Sequence, residues 1–243
     1  MIAAALIFST LTSARTSTQS TRPVVVELFT SQGCSSCPPA DALMLELAAR
    51  DDVIALSMPI DYWDNLGWAD TLASPRHTAR QRNYAKTLAN RRVYTPQMVI
   101  NGTVDLIGSH RDEVLAAIEN QAASPTPFIP ITLGLEDGHL NITLEDAPAE
   151  LATRKAWIWV APYHGKTQNI SIIKGENGGR TIEYAHVVDG LIKIGDYDGS
   201  KLVVTHSLDE MMAKNIDDCA VIVQDAKSGA IIGAAHITWP SSS

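Results

Sequence analysis

Cys34-Ser35-Ser36-Cys37 places two thiols three positions apart, where one can attack a substrate and the other can resolve the product. A loop this short stabilises little by its closure, so the spacing reads as a working pair more than as a structural clamp. Exchange needs a thiolate, and an ordinary cysteine is mostly protonated at neutral pH. The start of a helix, with its unpaired N–H groups and positive dipole end, lowers a cysteine pKa to somewhere within about 3.5–7.5. Cys34, expected to open a helix, is the nucleophile in this reading. Cys37, one turn further in, is the resolving thiol. Read without chemistry, the same residues are a static disulfide or two inert thiols. The third cysteine, Cys219, opens an apolar strand and reads as a small buried hydrophobe.

The elements that must position this pair are legible around it. Residues 24–29 are a dense apolar run broken only by Glu27, which predicts a buried strand. Pro38 and Pro39 fit only the first turn of a helix, which Leu43, Met44, Leu47 and Ala48 carry on to Arg50. Residues 53–58 predict a second buried strand. Ser74-Pro75 is an N-cap followed by a proline at the first helical position, opening a helix to about Asn90. Thr95-Pro96 precedes apolar Met98-Val99-Ile100, and Asn101-Gly102 predicts a hairpin answered by residues 104–107. Ser109-His110-Arg111-Asp112 reads as a capping box for a helix through Gln121.

The order strand, helix, strand, helix, hairpin, helix, with a CxxC after the first strand and an Xaa-Pro opening the hairpin, resembles the thioredoxin superfamily. Residues 93–102 (Val-Tyr-Thr-Pro-Gln-Met-Val-Ile-Asn-Gly) are similar to the glutaredoxin pattern around its cis-proline. More narrowly, residues 33–41, 61–68 and 94–102 together resemble a bacterial family of exported thioredoxin-like proteins of unknown function. The likeness is good over residues 23–121 and looser beyond. It implies a cis Pro96 packed against the cysteine pair, with the backbone at Thr95 pairing an incoming peptide; without it, Pro96 reads as a trans proline on an edge strand. Many thioredoxins keep a buried acid just before the strand's last aromatic, where this chain has Leu28. Glu27, one residue off, and Asp61, in the loop that follows the second strand, are the candidate proton shuttles; Asp64 is a further acid in that loop. Tyr62, Trp63 and Trp68 in the same loop offer an apolar lip for a substrate groove, or they cover the sheet edge.

The expected organisation is therefore an export signal or disordered lead-in at residues 1–22, an α/β thioredoxin-like domain at 23–123, and an all-β sandwich-like domain at 127–243. Residues 2–11 are a short apolar run followed by small residues, as in an export signal, but with no basic leader. Residues 15–22 look like an unstructured lead-in. Pro125, Pro127 and Pro130 mark a stiff linker. Beyond it, short apolar runs separated by Asp-Gly and Ser-Gly turns, residues 183–194 among them as one strand, predict the sandwich. Trp157 and Trp159 share one face of a strand and read as core, and His186, His206 and His236 fall in separate strands with no close pair to anchor a metal.

Composition narrows the partners. With 19 Lys plus Arg against 27 Asp plus Glu the net charge is −8, and no basic run offers a nucleic-acid or anionic-membrane surface. The apolar run near the N-terminus is too short to span a bilayer. The leading expectation is a periplasmic or secreted thiol–disulfide oxidoreductase acting on protein or small-molecule thiols, with no cofactor and no bound metal. The alternatives are a soft-metal protein using the same cysteines for copper or zinc, and a non-enzymatic binding or adaptor protein.

Overall fold

A computed structural model describes residues 15–18 and 22–239; the expected export signal, residues 1–14, lies outside the described residues. The first half runs β1 (Arg15–Thr18), β2 (Val24–Thr30), α1 (Pro38–Ala48), β3 (Val53–Pro59), a 3-10 turn at Asp64–Leu66, α2 (Pro75–Thr87), β4 (Gln97–Ile100), β5 (Val104–Ile107) and α3 (Arg111–Ala122). The second half adds β6 (Ile131–Glu136), β7 (His139–Leu144), β8 (Ala156–His164), β9 (Gln168–Ile172), β10 (Arg180–Tyr184) and β11 (Val187–Val188). It ends with β12 (Ile192–Tyr197), β13 (Leu202–Ser207), α4 (Asp209–Ala213), β14 (Asp218–Asp225) and β15 (Ile231–Thr238). These form a mixed α/β architecture with a nine-stranded mixed sheet, a four-stranded antiparallel sheet and the β9–β10 hairpin.

The large sheet runs β15-β14-β8-β11-β3-β2-β4-β5, with β12 also bonded to β8. β2 lies parallel to β3 and antiparallel to β4, and every residue of β2 is buried. Strand alternation splits its side chains between two cores. Val24, Val26 and Leu28 pack with Leu43 and Met44 of α1 and Val114 and Ile118 of α3. Val25 and Phe29 pack with Tyr84 of α2 and with Ala220 and Ile222 of β14. The hairpin between β4 and β5 turns on Asn101 and Gly102, both at positive φ. A Cβ on Gly102 would stand 2.1 Å from the carbonyl oxygen of Gly229, so the turn and the β14–β15 turn approach as only glycine allows.

The two halves share this sheet. Val187 of β11 pairs in parallel with Ser57 of β3, and Val187 and Val188 pair with His164 and Tyr163 of β8. The proline-rich segment is bonded as well: the Arg22 guanidinium donates to the carbonyls of Ser124 (2.8 Å) and Thr126 (2.7 Å), and the Ile129 N–H donates to Ile232 (2.7 Å). In the second half Leu133, Ile142 and Leu144 of the four-stranded sheet pack on Ile158, Val160, Val221 and Val223 of the large sheet, which continues the sheet of the first half.

Three local expectations are corrected. Residues 15–18, expected as part of an unstructured lead-in, form an antiparallel strand paired with β6. The capping box does not form: α3 starts at Arg111 with His110 as its N-cap and no side-chain cap bond. The single strand expected at 183–194 is three strands, because His186 takes φ +45° and the chain turns there.

Candidate functional site

Cys34 and Cys37 are joined in a disulfide, with their Cα atoms 5.4 Å apart. Cys37, not Cys34, is the N-cap of α1, and Pro38 and Pro39 occupy its first two positions. The prolines bring no N–H, and the N–H groups of Ala40 and Asp41 bond the Cys37 carbonyl at 2.8 and 3.1 Å. The helix start therefore presents no free donor to Cys34, which sits in the preceding turn. The nearer support for a Cys34 thiolate is the Ser36 hydroxyl, 3.3 Å from its sulfur. Cys34 is 1% and Cys37 0% exposed, whereas Ser35 and Ser36 face solvent.

The Thr95–Pro96 bond is cis. A Cβ on Gly108 would meet Ala40 Cβ at 3.1 Å and Pro96 Cβ at 3.4 Å, so Pro96 packs beside the first turn of α1. Trp63 closes another side: its Nε1–H donates to the Thr95 hydroxyl (2.9 Å), and its Cβ lies 3.4 Å from where a Gly33 Cβ would be. The structure thus brings Cys34, Cys37, Trp63, Thr95 and Pro96 together. Trp68 goes elsewhere. Its Nε1–H donates to Gln32 Oε1 (2.7 Å) and its ring packs against the Ile172, Ile182 and Tyr184 cluster, at the seam between the Cys turn and the β9–β10 hairpin. Tyr62 lies half-buried on the core beneath α2.

Neither expected proton shuttle is paired with the cysteines. Glu27 alternates to the α2 face of β2, where Arg80 Nε and Nη2 and the Tyr84 hydroxyl all donate to its carboxylate. The Asp61 carboxylate accepts the Thr78 hydroxyl at 2.5 Å and serves α2. The acid on the cysteine side is Asp41, which the sequence reading passed over. It lies four residues after Cys37 on the same helix face, a spacing that sets Cβ atoms about 5–6 Å apart. Asp41 is 1% exposed and neither oxygen has a hydrogen-bond partner among the described residues. Burial pushes its carboxyl up to about 8; the nearby Thr30 hydroxyl, which does not reach hydrogen-bonding geometry, opposes this, and the charge of Asp70 adds to the rise. Asp70, also buried, is pushed up to about 6 by burial although the N–H groups of Gln32 (2.7 Å) and Leu72 (2.8 Å) hold it. Tyr184 of β10 completes the group: burial and the charges of Asp41 and Asp70 push its phenol far up, so it stays protonated.

The second half also clamps the Cys turn directly. Asn177, fully buried, donates from Nδ2 to the carbonyls of Gln32 and Cys34, both at 2.9 Å. The Glu176 carboxylate accepts the Ser35 N–H at 3.2 Å. The one sequence signal for Asp41 was its place on an otherwise apolar helix face; Asn177 sits in a polar, glycine-rich loop whose pairing is non-local. Cys219 is free and buried, and burial pushes its thiol up. Among the described residues no three His, Cys, Asp or Glu side chains are grouped as metal ligands, and no helix is long and apolar enough to cross a membrane.

The chain is similar to a protein of Agrobacterium tumefaciens whose crystal structure is known. Identity is 32%, the alignment covers 93% of this chain and 98% of that one, and the TM-score is 0.74. It shares its fold with HBP35 of Porphyromonas gingivalis at 13% identity, covering 90% of this chain and 75% of that one with a TM-score of 0.55. No curated protein matches it. Residues 25–224 match one family model, so the chain that carries this buried cysteine pair belongs to the family described as "Protein of unknown function (DUF1223)".

Proposed function

We propose that this protein is an extracytoplasmic thiol–disulfide oxidoreductase whose first half is a thioredoxin-like domain. The element order β2-α1-β3-α2-β4-β5-α3, with the cysteine pair before α1 and cis Pro96 before β4, supports that domain. The apolar run at residues 2–11 supports export. The observation that carries the activity is a Cys34–Cys37 disulfide with a buried, unpartnered carboxyl one helical turn behind Cys37.

The reaction balances as follows. In the dithiol form the Cys34 thiolate attacks one sulfur of a substrate disulfide, forming a mixed disulfide and expelling a thiolate that takes up a proton. Cys37 then gives its proton to the Asp41 carboxylate and attacks Cys34 Sγ. The intramolecular disulfide forms, the second substrate thiolate leaves, and Asp41 returns a proton. Two electrons pass from the pair to the substrate, and the reverse sequence oxidises a dithiol. A group with pKa about 8 suits this work near neutral pH, because it exchanges protons readily in both directions. The buried Cys34 restricts entry to the side of exposed Ser35 and Ser36, next to Trp63.

Dithiothreitol-driven insulin reduction tests the proposal. Wild-type protein should accelerate it and Cys34→Ser should not. No acceleration by the wild type, together with stoichiometric copper retained through gel filtration, would replace it by the soft-metal reading.

A further inference from the structure

We propose that a cavity between α2 and β8 is a binding site for a small organic anion with a flat apolar body. The cavity has a volume of about 500 Å³, within the range of ligand pockets. None of its lining residues belongs to the frame around Cys34 and Cys37, so the inference stands or falls apart from the redox reading. One wall is apolar: Trp157 and Trp159 of β8 meet edge-to-face with centroids 6.1 Å apart, and Leu191 lies beside them. These tryptophans were expected to be core. Both are half-buried: Trp159 packs against the core beneath α2, as Ala161 and Tyr163 do further along the same face of β8, but beside the two tryptophans an open space remains between β8 and α2.

The opposite wall sets the charge. Arg76, Arg80 and Lys86 of α2 line the cavity and no Asp or Glu does, in a chain with net charge −8. Arg76 has no ion pair among the described residues, and the Lys86 ammonium donates to the neutral Asn83 amide at 2.7 Å. Arg80, at the floor, is 7% exposed and neutralised by Glu27. Its Nε and Nη2 protons go to Glu27 and Tyr84, and one Nη1 proton goes to Gln224 Oε1 at 3.3 Å. A guanidinium carries five N–H donors, so one Nη1 proton remains for a ligand. Trp159 Nε1, buried, also lacks a hydrogen-bond partner among the described residues. Spare donors, two cations and an aromatic wall, with no acid among them, match a carboxylate or sulfonate on a planar apolar body.

Calorimetric titration of the full chain with 2-naphthoate and with its neutral isostere 2-naphthamide is the test. The site predicts saturable one-to-one binding of naphthoate, at least tenfold tighter than the amide. An Arg76→Ala/Lys86→Ala variant, altered only on the surface of α2, should lose at least tenfold for naphthoate and leave the amide unchanged, while Trp157→Ala should weaken both. Absence of saturable naphthoate binding, equal affinity for the two compounds, or indifference to the double variant would overturn the inference. Insulin reduction by the Arg76→Ala/Lys86→Ala variant should equal that of the wild type, which keeps this outcome separate from the redox proposal.

Discussion

Asp41→Asn offers a perturbation whose sign follows from burial alone. The unfolded carboxyl titrates near its ordinary 3.8, and the folded one near 8. Folding at pH 7 therefore takes up a proton, at about 1.4 kcal/mol per pH unit above 3.8, or about 4 kcal/mol in all. The fold favours the protonated acid, so this stability is fully present below pH 3.8 and is lost as pH rises through 8. Asparagine does not titrate. It does leave an amide without partners, at a roughly constant cost of about 1–3 kcal/mol. The stability of Asp41→Asn minus that of the wild type should then climb by about 4 kcal/mol between pH 4 and pH 7 and level off above pH 8. Urea unfolding of both oxidised proteins at one-unit pH steps measures the difference, which includes a smaller part from Asp70 because its charge is coupled to that of Asp41. A difference independent of pH would mean that the fold leaves the Asp41 carboxyl near its ordinary 3.8, too weakly basic to take the Cys37 proton near neutral pH. If the base assignment is right, resolution of the mixed disulfide should also slow by roughly a hundredfold, as for loss of a general base.

Two further substitutions separate the site from its supports. Glu27→Gln leaves the Arg80 guanidinium buried against a neutral amide and should cost about 3–5 kcal/mol in urea unfolding, with little change in Cys34 alkylation rate if Glu27 is structural. Asn177→Ala deprives the carbonyls of Gln32 and Cys34 of their buried donor, costing about 1–3 kcal/mol, and should speed iodoacetamide labelling of reduced Cys34 by loosening the turn.

Much of the first half was legible because its signals are local. The proline pair, the Ser74-Pro75 cap and Asn101-Gly102 each dictate backbone geometry within a few residues, and each acts where expected: Pro38 and Pro39 open α1, Ser74 accepts the Arg76 N–H, and Asn101 and Gly102 take positive φ. Ser109 failed as a cap because the chain bonds His110 N–H back to Ile107, starting the helix later. The site was half legible. Cys34, Cys37, Thr95, Pro96 and Trp63 converge, but the acid was sought on β2, where alternation turns Glu27 toward Arg80. Asp41 carried a readable signal, a carboxylate on an apolar helix face beside a cysteine. Asn177, Glu176 and Tyr184 carried none, since their roles depend on β11 joining the second half to β3, a pairing of the single residues Val187 and Ser57.

The most direct test of the redox account is to trap its intermediate. Reduced Cys37→Ser protein, mixed with oxidised glutathione and examined by intact and peptide mass spectrometry, should carry one glutathione on Cys34, and the Cys34→Ser protein should carry none in the folded state. Buried Cys219 should stay unmodified in both. Equal labelling of Cys37 in the Cys34→Ser protein, or no adduct on Cys34 until the chain is unfolded, would contradict the account.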